Sequence, residues 1–178
     1  MRPLVDSTLV GEAGVTLPPA DPAAGVLVLG VGNLLMGDEG AGVHVLRALE
    51  EEDAIPGIRL LDGGTGGANL LGEFAGRRAV VLVDATRDGT AAGSVRYRYR
   101  RHQRIFDLPG GLSAHDFGLK DLFAAAALLD SLPEIHLFTV AVESVRPMCT
   151  ELSPDVAAVV PGLVERVHAL ARRLASAT

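Results

Sequence analysis

Val26-Leu27-Val28-Leu29-Gly30-Val31 is a short, unbroken apolar run, followed at once by a second glycine, Gly32. A strand with one wet face alternates apolar and polar residues. A continuous run of this length therefore predicts a strand covered on both faces, as in a parallel sheet held between helix layers. Parallel neighbours need long crossovers, and the rest of the chain supplies them. From Asp38 to Glu51 the period lengthens, with Val43, Leu46, Ala48 and Leu49 forming a helical stripe. Ile58 to Leu61 predict a second strand, ended by Asp62-Gly63-Gly64-Thr65-Gly66-Gly67, and Ala68 to Phe74 a short helix. Ala79 to Val83 form a third buried run that ends at Asp84, whereas Ser94 to Tyr99 alternate as a half-exposed, antiparallel edge strand. After the loop from Arg100 to Leu112, a helix is expected to open near Ser113, with Asp116 completing its cap and His115 in its first turn. Ile135 to Val142 predict the last strand. Ser153-Pro154-Asp155 opens a terminal helix by a serine cap, and Pro161 is expected to bend or break it. These elements describe an α/β protein, a three-layer αβα sandwich around a mostly parallel, twisted sheet of about five strands with one antiparallel edge strand.

With 178 residues, 48% of them apolar, the chain fits one core. The expected organisation is a flexible N-terminal extension over residues 1–25 and a single α/β domain over residues 26–178. The extension carries acids and prolines where a secretory leader would have a basic segment and an apolar run. A formal net charge of −6 leaves no broad basic face, which argues against nucleic acid as a partner. Arg96, Arg98 and Arg100 alternate with Val95, Tyr97 and Tyr99, so they read as the solvated face of an edge strand, with a docking surface for an acidic segment as the specific alternative. The single cysteine, Cys149, allows no intrachain disulfide and no cysteine-rich zinc site, which fits a reducing, cytoplasmic setting. No apolar window is long enough for a membrane helix.

In an open parallel sheet, ligands collect beyond the carboxyl ends of the strands. Three loops there carry acids: Gly30 to Gly40 with Asp38 and Glu39, Asp62-Gly63-Gly64-Thr65, and Asp84 directly at a strand end. His115 opens a helix that reaches the same rim. A dinucleotide reading of Gly30-Val31-Gly32 fails, because Leu35 stands where the third glycine belongs. The carboxylates of Asp38 and Glu39 would also repel a pyrophosphate from the helix N-terminus. Glu39, Asp84 and His115 form a plausible ligand set for a divalent metal with open positions. Glu39 read alone is equally an acid that stabilises a helix N-terminus.

Four segments together decide between these readings. Gly30-Val31-Gly32-Asn33-Leu34-Leu35-Met36-Gly37-Asp38-Glu39-Gly40-Ala41-Gly42-Val43, Asp62-Gly63-Gly64-Thr65, Val83-Asp84-Ala85 and Ser113-Ala114-His115-Asp116-Phe117-Gly118-Leu119 occur in the order and spacing of the [NiFe]-hydrogenase maturation endopeptidases. The chain resembles that family over roughly residues 26–174. The resemblance implies an endopeptidase, of the aspartyl type, that removes a short C-terminal extension from the hydrogenase large-subunit precursor after nickel insertion. It further implies that Glu39, Asp84 and His115 contact that nickel, that the metal belongs to the substrate and that no permanent cofactor is needed; a monomer is expected. Asp38 becomes a further catalytic candidate, and Asp62, Gly63, Gly64 and Thr65 become recognition or supporting residues. The sequence departs from the family where Glu151, in place of a glycine, precedes Leu152-Ser153-Pro154, and along Glu143 to Thr150.

Peptide hydrolysis needs an activated water, a stabilised oxyanion and a proton for the leaving amine. No serine or cysteine triad offers these. Cys149 reads as a small buried hydrophobe and Ser113 as a helix cap. His44, His102, His136 and His168 read as packed or solvated, with His44, one helical turn from Glu39, the most suggestively placed. Two other functions share the same ligands: a nickel-sensing adaptor that binds the precursor without cutting it, and a small metallohydrolase with its own metal.

Overall fold

The apolar run becomes β3 (Val26–Val31), buried at every position and flanked by parallel neighbours on both sides. In the computed structural model, which describes residues 10–11, 14–15, 25–100, 122 and 133–177, the other strands are β4 (Ile58–Gly64), β5 (Ala79–Thr86), β6 (Val95–Arg100) and β7 (Glu134–Ala141). They form one sheet of order β4-β3-β5-β7-β6. All of its pairings are parallel except β6 with β7, so the alternating Val95–Arg100 segment is the antiparallel edge strand. Two short strands, β1 (Val10–Gly11) and β2 (Gly14–Val15), pair with each other apart from this sheet.

Strand alternation divides the core into two layers. Val26, Val28, Ala79, Val81, Val83, Phe138 and Val140 face α1 (Ala41–Glu50) and α3 (Pro154–Ser176). Leu27, Leu29, Val31, Val80, Leu82, Ile135 and Leu137 face Phe74 of α2 (Leu71–Phe74) and the helical residue Leu122. The sheet is thus covered on both faces, and each fully buried leucine or valine contributes about 1.5–3 kcal/mol of transfer free energy. The expected helix from Asp38 begins instead as a 3₁₀ turn, Gly37–Gly40, that runs into α1.

Two expectations about α3 change. Ser153 occupies the N-cap position, but its hydroxyl makes no cap bond; the Ser153 N–H donates instead to Oδ1 of Asp38, 2.5 Å away. A carboxylate there also complements the positive end of a long helix. Pro161 does not break the helix, which runs unbroken through to Ser176. Pro161 and Ala157 are both exposed, so the carbonyl that loses its helical partner can turn to water.

Candidate active site

The site is built around a backbone contact. A Cβ on Gly42, in the first turn of α1, would stand 2.2 Å from the Val83 carbonyl oxygen and 2.3 Å from that of Val31. Only glycine lets α1 lie directly on the ends of β3 and β5. Gly32 does the same for the preceding loop: its φ is +141°, and a Cβ would meet the Glu39 carbonyl oxygen at 2.0 Å. Asn33 organises the turn between them, its Oδ1 accepting the Leu35 N–H at 3.0 Å and its carbonyl accepting the Met36 N–H at 3.0 Å. The Gly37–Gly40 turn is thereby laid against β5, and Glu39, at 0% exposure, is carried over the strand ends.

Asp84 lies on β5, one residue beyond the Val83 carbonyl that α1 touches, and is 2% exposed. Its Oδ1 accepts the Ala85 N–H at 2.8 Å. Burying carboxylates is expensive unless other groups compensate, so Glu39 and Asp84 held inside one rim make that rim the candidate site. Thr139 is the register partner of Asp84 on β7, shares its face of the sheet, and is equally buried. The Thr139 hydroxyl has no hydrogen-bond partner among the described residues. It was not a sequence candidate, although the period-two register of β7 places it beside Asp84.

Asp38 is also buried, but its Oδ1 is taken up by the Ser153 amide, which anchors the start of α3. Asp62 lies at the exposed end of β4 and turns on itself, Oδ1 accepting the Gly64 N–H at 2.8 Å. The register slips by one residue here: Gly30 faces Asp62, and Val31 faces Gly64. The extra residue, Gly63, is a bulge that bends β4 beside the site. Gly64 has φ +47° and Gly66 N–H donates to the Gly63 carbonyl at 2.9 Å, while Thr65 is exposed. The motif therefore makes a tight turn on the rim. His115 and the Ser113 helix lie outside the described residues. Among the described residues, no three His, Cys, Asp or Glu side chains are grouped to hold a metal.

The segment 145–152, which shows no sequence period, is stitched to the acid loop. Met36 and Cys149 form a parallel bridge. Gly37 N–H donates to the Cys149 carbonyl at 2.7 Å, Cys149 N–H to the Leu35 carbonyl at 3.2 Å, and Arg146 N–H to the Met36 carbonyl at 3.2 Å. Arg146 Nη2 donates to the Glu151 carbonyl at 2.6 Å, and His44 Nε2 to that of Thr150 at 3.0 Å. His44 thus braces this segment. Cys149 is half-buried, with Sγ 3.6 Å from the Glu151 carbonyl oxygen.

A second polar cluster lies toward the opposite end of β7, on the α3 face. Tyr97 O–H donates to His136 Nδ1 at 2.6 Å, and His136 Nε2–H to Glu134 at 3.1 Å. Burial holds the His136 pKa below its usual 6.5, which fixes the neutral imidazole that this pattern requires. Burial likewise raises the Tyr97 phenol above 10.0. On β6, Arg96 pairs with Asp88, whose pKa is lowered first by the Thr90 hydroxyl. Arg96 is therefore committed within the chain.

The scaffold is doubly wound α/β, with the carboxylates of Asp38, Glu39 and Asp84 buried at the carboxyl rim of its parallel strands. Comparison with known proteins gives the family. The family model for HycI-type hydrogenase maturation proteases matches residues 43–170. Hydrogenase 2 maturation protease of Escherichia coli K12 is 34% identical over 149 residues, covering 83% of this chain and 90% of that protein. The hydrogenase expression/formation protein HoxM of Azotobacter vinelandii is 32% identical, over 81% of this chain and 74% of that one. The hydrogenase maturating endopeptidase HybD from E. coli superposes with a TM-score of 0.71 at 32% identity, over 84% of this chain and 93% of that one. The HybD protease of Thermococcus kodakarensis gives 0.64 at 30%, over 83% and 99%. The chain belongs to the hydrogenase maturation protease family, and it is a peptidase.

Proposed function

We propose that this peptidase removes the C-terminal extension of a [NiFe]-hydrogenase large-subunit precursor after nickel has been inserted. Glu39, Asp84 and His115 contact the nickel carried by that precursor, and the protein needs no resident cofactor. The observation that carries this reading is the burial of Glu39 and Asp84 on one rim, fixed there by the Gly42 contact. Two carboxylates and an imidazole suit a divalent ion of this kind, and three protein ligands leave room for the substrate's own groups. The metal docks the scissile bond against the site, so unloaded precursor is left uncut. The two carboxylates can also take a proton from the attacking water. Asp38 supports them from behind, and the Asp62–Thr65 turn forms the recognition edge. The enzyme works in the cytoplasm as a monomer.

Glu39→Ala, Asp84→Ala and His115→Ala should each abolish trimming of the precursor while the circular dichroism spectrum stays native. Full activity in any one removes that residue from the centre. Metal analysis of the purified enzyme is expected to show no stoichiometric ion; a resident metal would replace this reading by that of a metallohydrolase.

A further inference from the structure

Leu35 and Met148 are the two aliphatic side chains most at odds with their surroundings: Leu35 is 54% exposed and Met148 86%. They are far apart in sequence but adjacent in space. The parallel bridge between Met36 and Cys149, with the Cys149 N–H on the Leu35 carbonyl, brings the two backbone segments side by side. Met148 also has φ +59°, alone among the described non-glycine residues in the left-handed region. Glycine or asparagine adopts that conformation more readily, so Met148 stands there against a backbone preference. The turn that presents it is firm, tied by the backbone bonds of Gly37, Cys149 and Arg146 and by the Arg146 side chain on Glu151.

What covers this pair follows from where it sits. Leu35 belongs to the loop that continues through Met36 and Gly37 into Asp38 and Glu39. A peptidase must hold polypeptide on both sides of the bond it cuts, and the 146–149 segment is tied to the same loop that carries Glu39. Methionine's unbranched, polarizable side chain suits a contact that must adapt to a peptide.

We propose that Leu35 and Met148 form the subsite for an apolar side chain of the polypeptide substrate next to the scissile bond, and so are specificity-determining residues. The assay rests on the precursor reading given above. The double variant Leu35→Ser/Met148→Gly should raise KM for the precursor about tenfold, with kcat within about twofold. Met148→Gly alone should raise KM while leaving the melting temperature equal or higher, because glycine accepts the φ of +59° without strain. That separates lost binding from lost structure. Alanine scanning of the precursor around the cut should find one apolar residue whose loss adds nothing further in the double variant. Wild-type cleavage with unchanged KM in the double variant overturns the subsite alone. Absence of wild-type cleavage sinks the precursor reading and the subsite with it. A wild-type dimer that the double variant converts to monomer on sedimentation would make the pair a contact between copies of this chain and overturn the proposal.

Discussion

Replacing Gly42 by alanine sets two ordinary expectations against each other. In a helix, alanine is favoured over glycine by about 1 kcal/mol. Here the new Cβ would fall 2.2 Å and 2.3 Å from two main-chain carbonyl oxygens of neighbouring strands, whereas a close carbon–oxygen contact is about 3.3 Å. No side chain can rotate to relieve it, so α1 must retreat by roughly 1 Å. Overpacking of this kind costs about 3 kcal/mol at the upper end of its usual range, which leaves a net loss near 2 kcal/mol after the propensity gain. For a domain of this size that lowers the melting temperature by about 4–8 °C. Glu39 lies on the 3₁₀ turn that runs into α1, and in the role proposed for it a 1 Å displacement would reduce turnover on the order of a hundredfold. The effect should therefore appear in both thermal unfolding and precursor cleavage. Gly162→Ala is the control. Its Cβ meets nothing within 4 Å, on an exposed position of α3, so the same substitution should stabilise by up to about 1 kcal/mol without touching activity. Gly42→Ala with wild-type melting and wild-type cleavage would refute the claim that backbone contact positions Glu39.

Two other outcomes follow from the polar ties. Asp38→Ala strands the Ser153 N–H at the start of α3 and should cost about 1–3 kcal/mol, most of it restored in Asp38→Asn, which keeps an acceptor oxygen; equal melting of all three proteins would contradict the tie. His136 faces Tyr97, Glu134 and Arg173, and burial lowers its pKa in the folded state, so the unfolded chain takes up the proton first as pH falls. Its contribution to stability is therefore fully present above pH 6.5 and lost as pH drops through the folded value. His136→Gln should flatten the fall in melting temperature as the pH drops below 6.5, and an unchanged slope would rule His136 out as its source.

What the sequence displayed is what local pattern controls. Val26–Val31 reads as a doubly covered strand because both faces lack polar residues, and Val95–Arg100 reads as an edge because its faces differ. Asp84 is visible because a charge interrupts an apolar run, although the strand itself continues past it to Thr86. What stayed hidden was non-local. Ser153 carries every local sign of a cap, yet the bond is made to Asp38, 115 residues away, which no window reveals. The 145–152 segment has no period, because its hydrogen bonds go to the Leu35–Gly37 loop and not to a repeating element. Pro161 leaves its helix intact because Ala157 and Pro161 face solvent, which local pattern does not display.

The proposed role of Glu39 and Asp84 is tested most directly by incubating the purified enzyme with nickel-loaded and nickel-free large-subunit precursor and weighing the products. The loaded precursor alone should lose its C-terminal extension, and Glu39→Ala should leave it full length. Equal trimming of both precursors, or trimming by Glu39→Ala, would contradict the account.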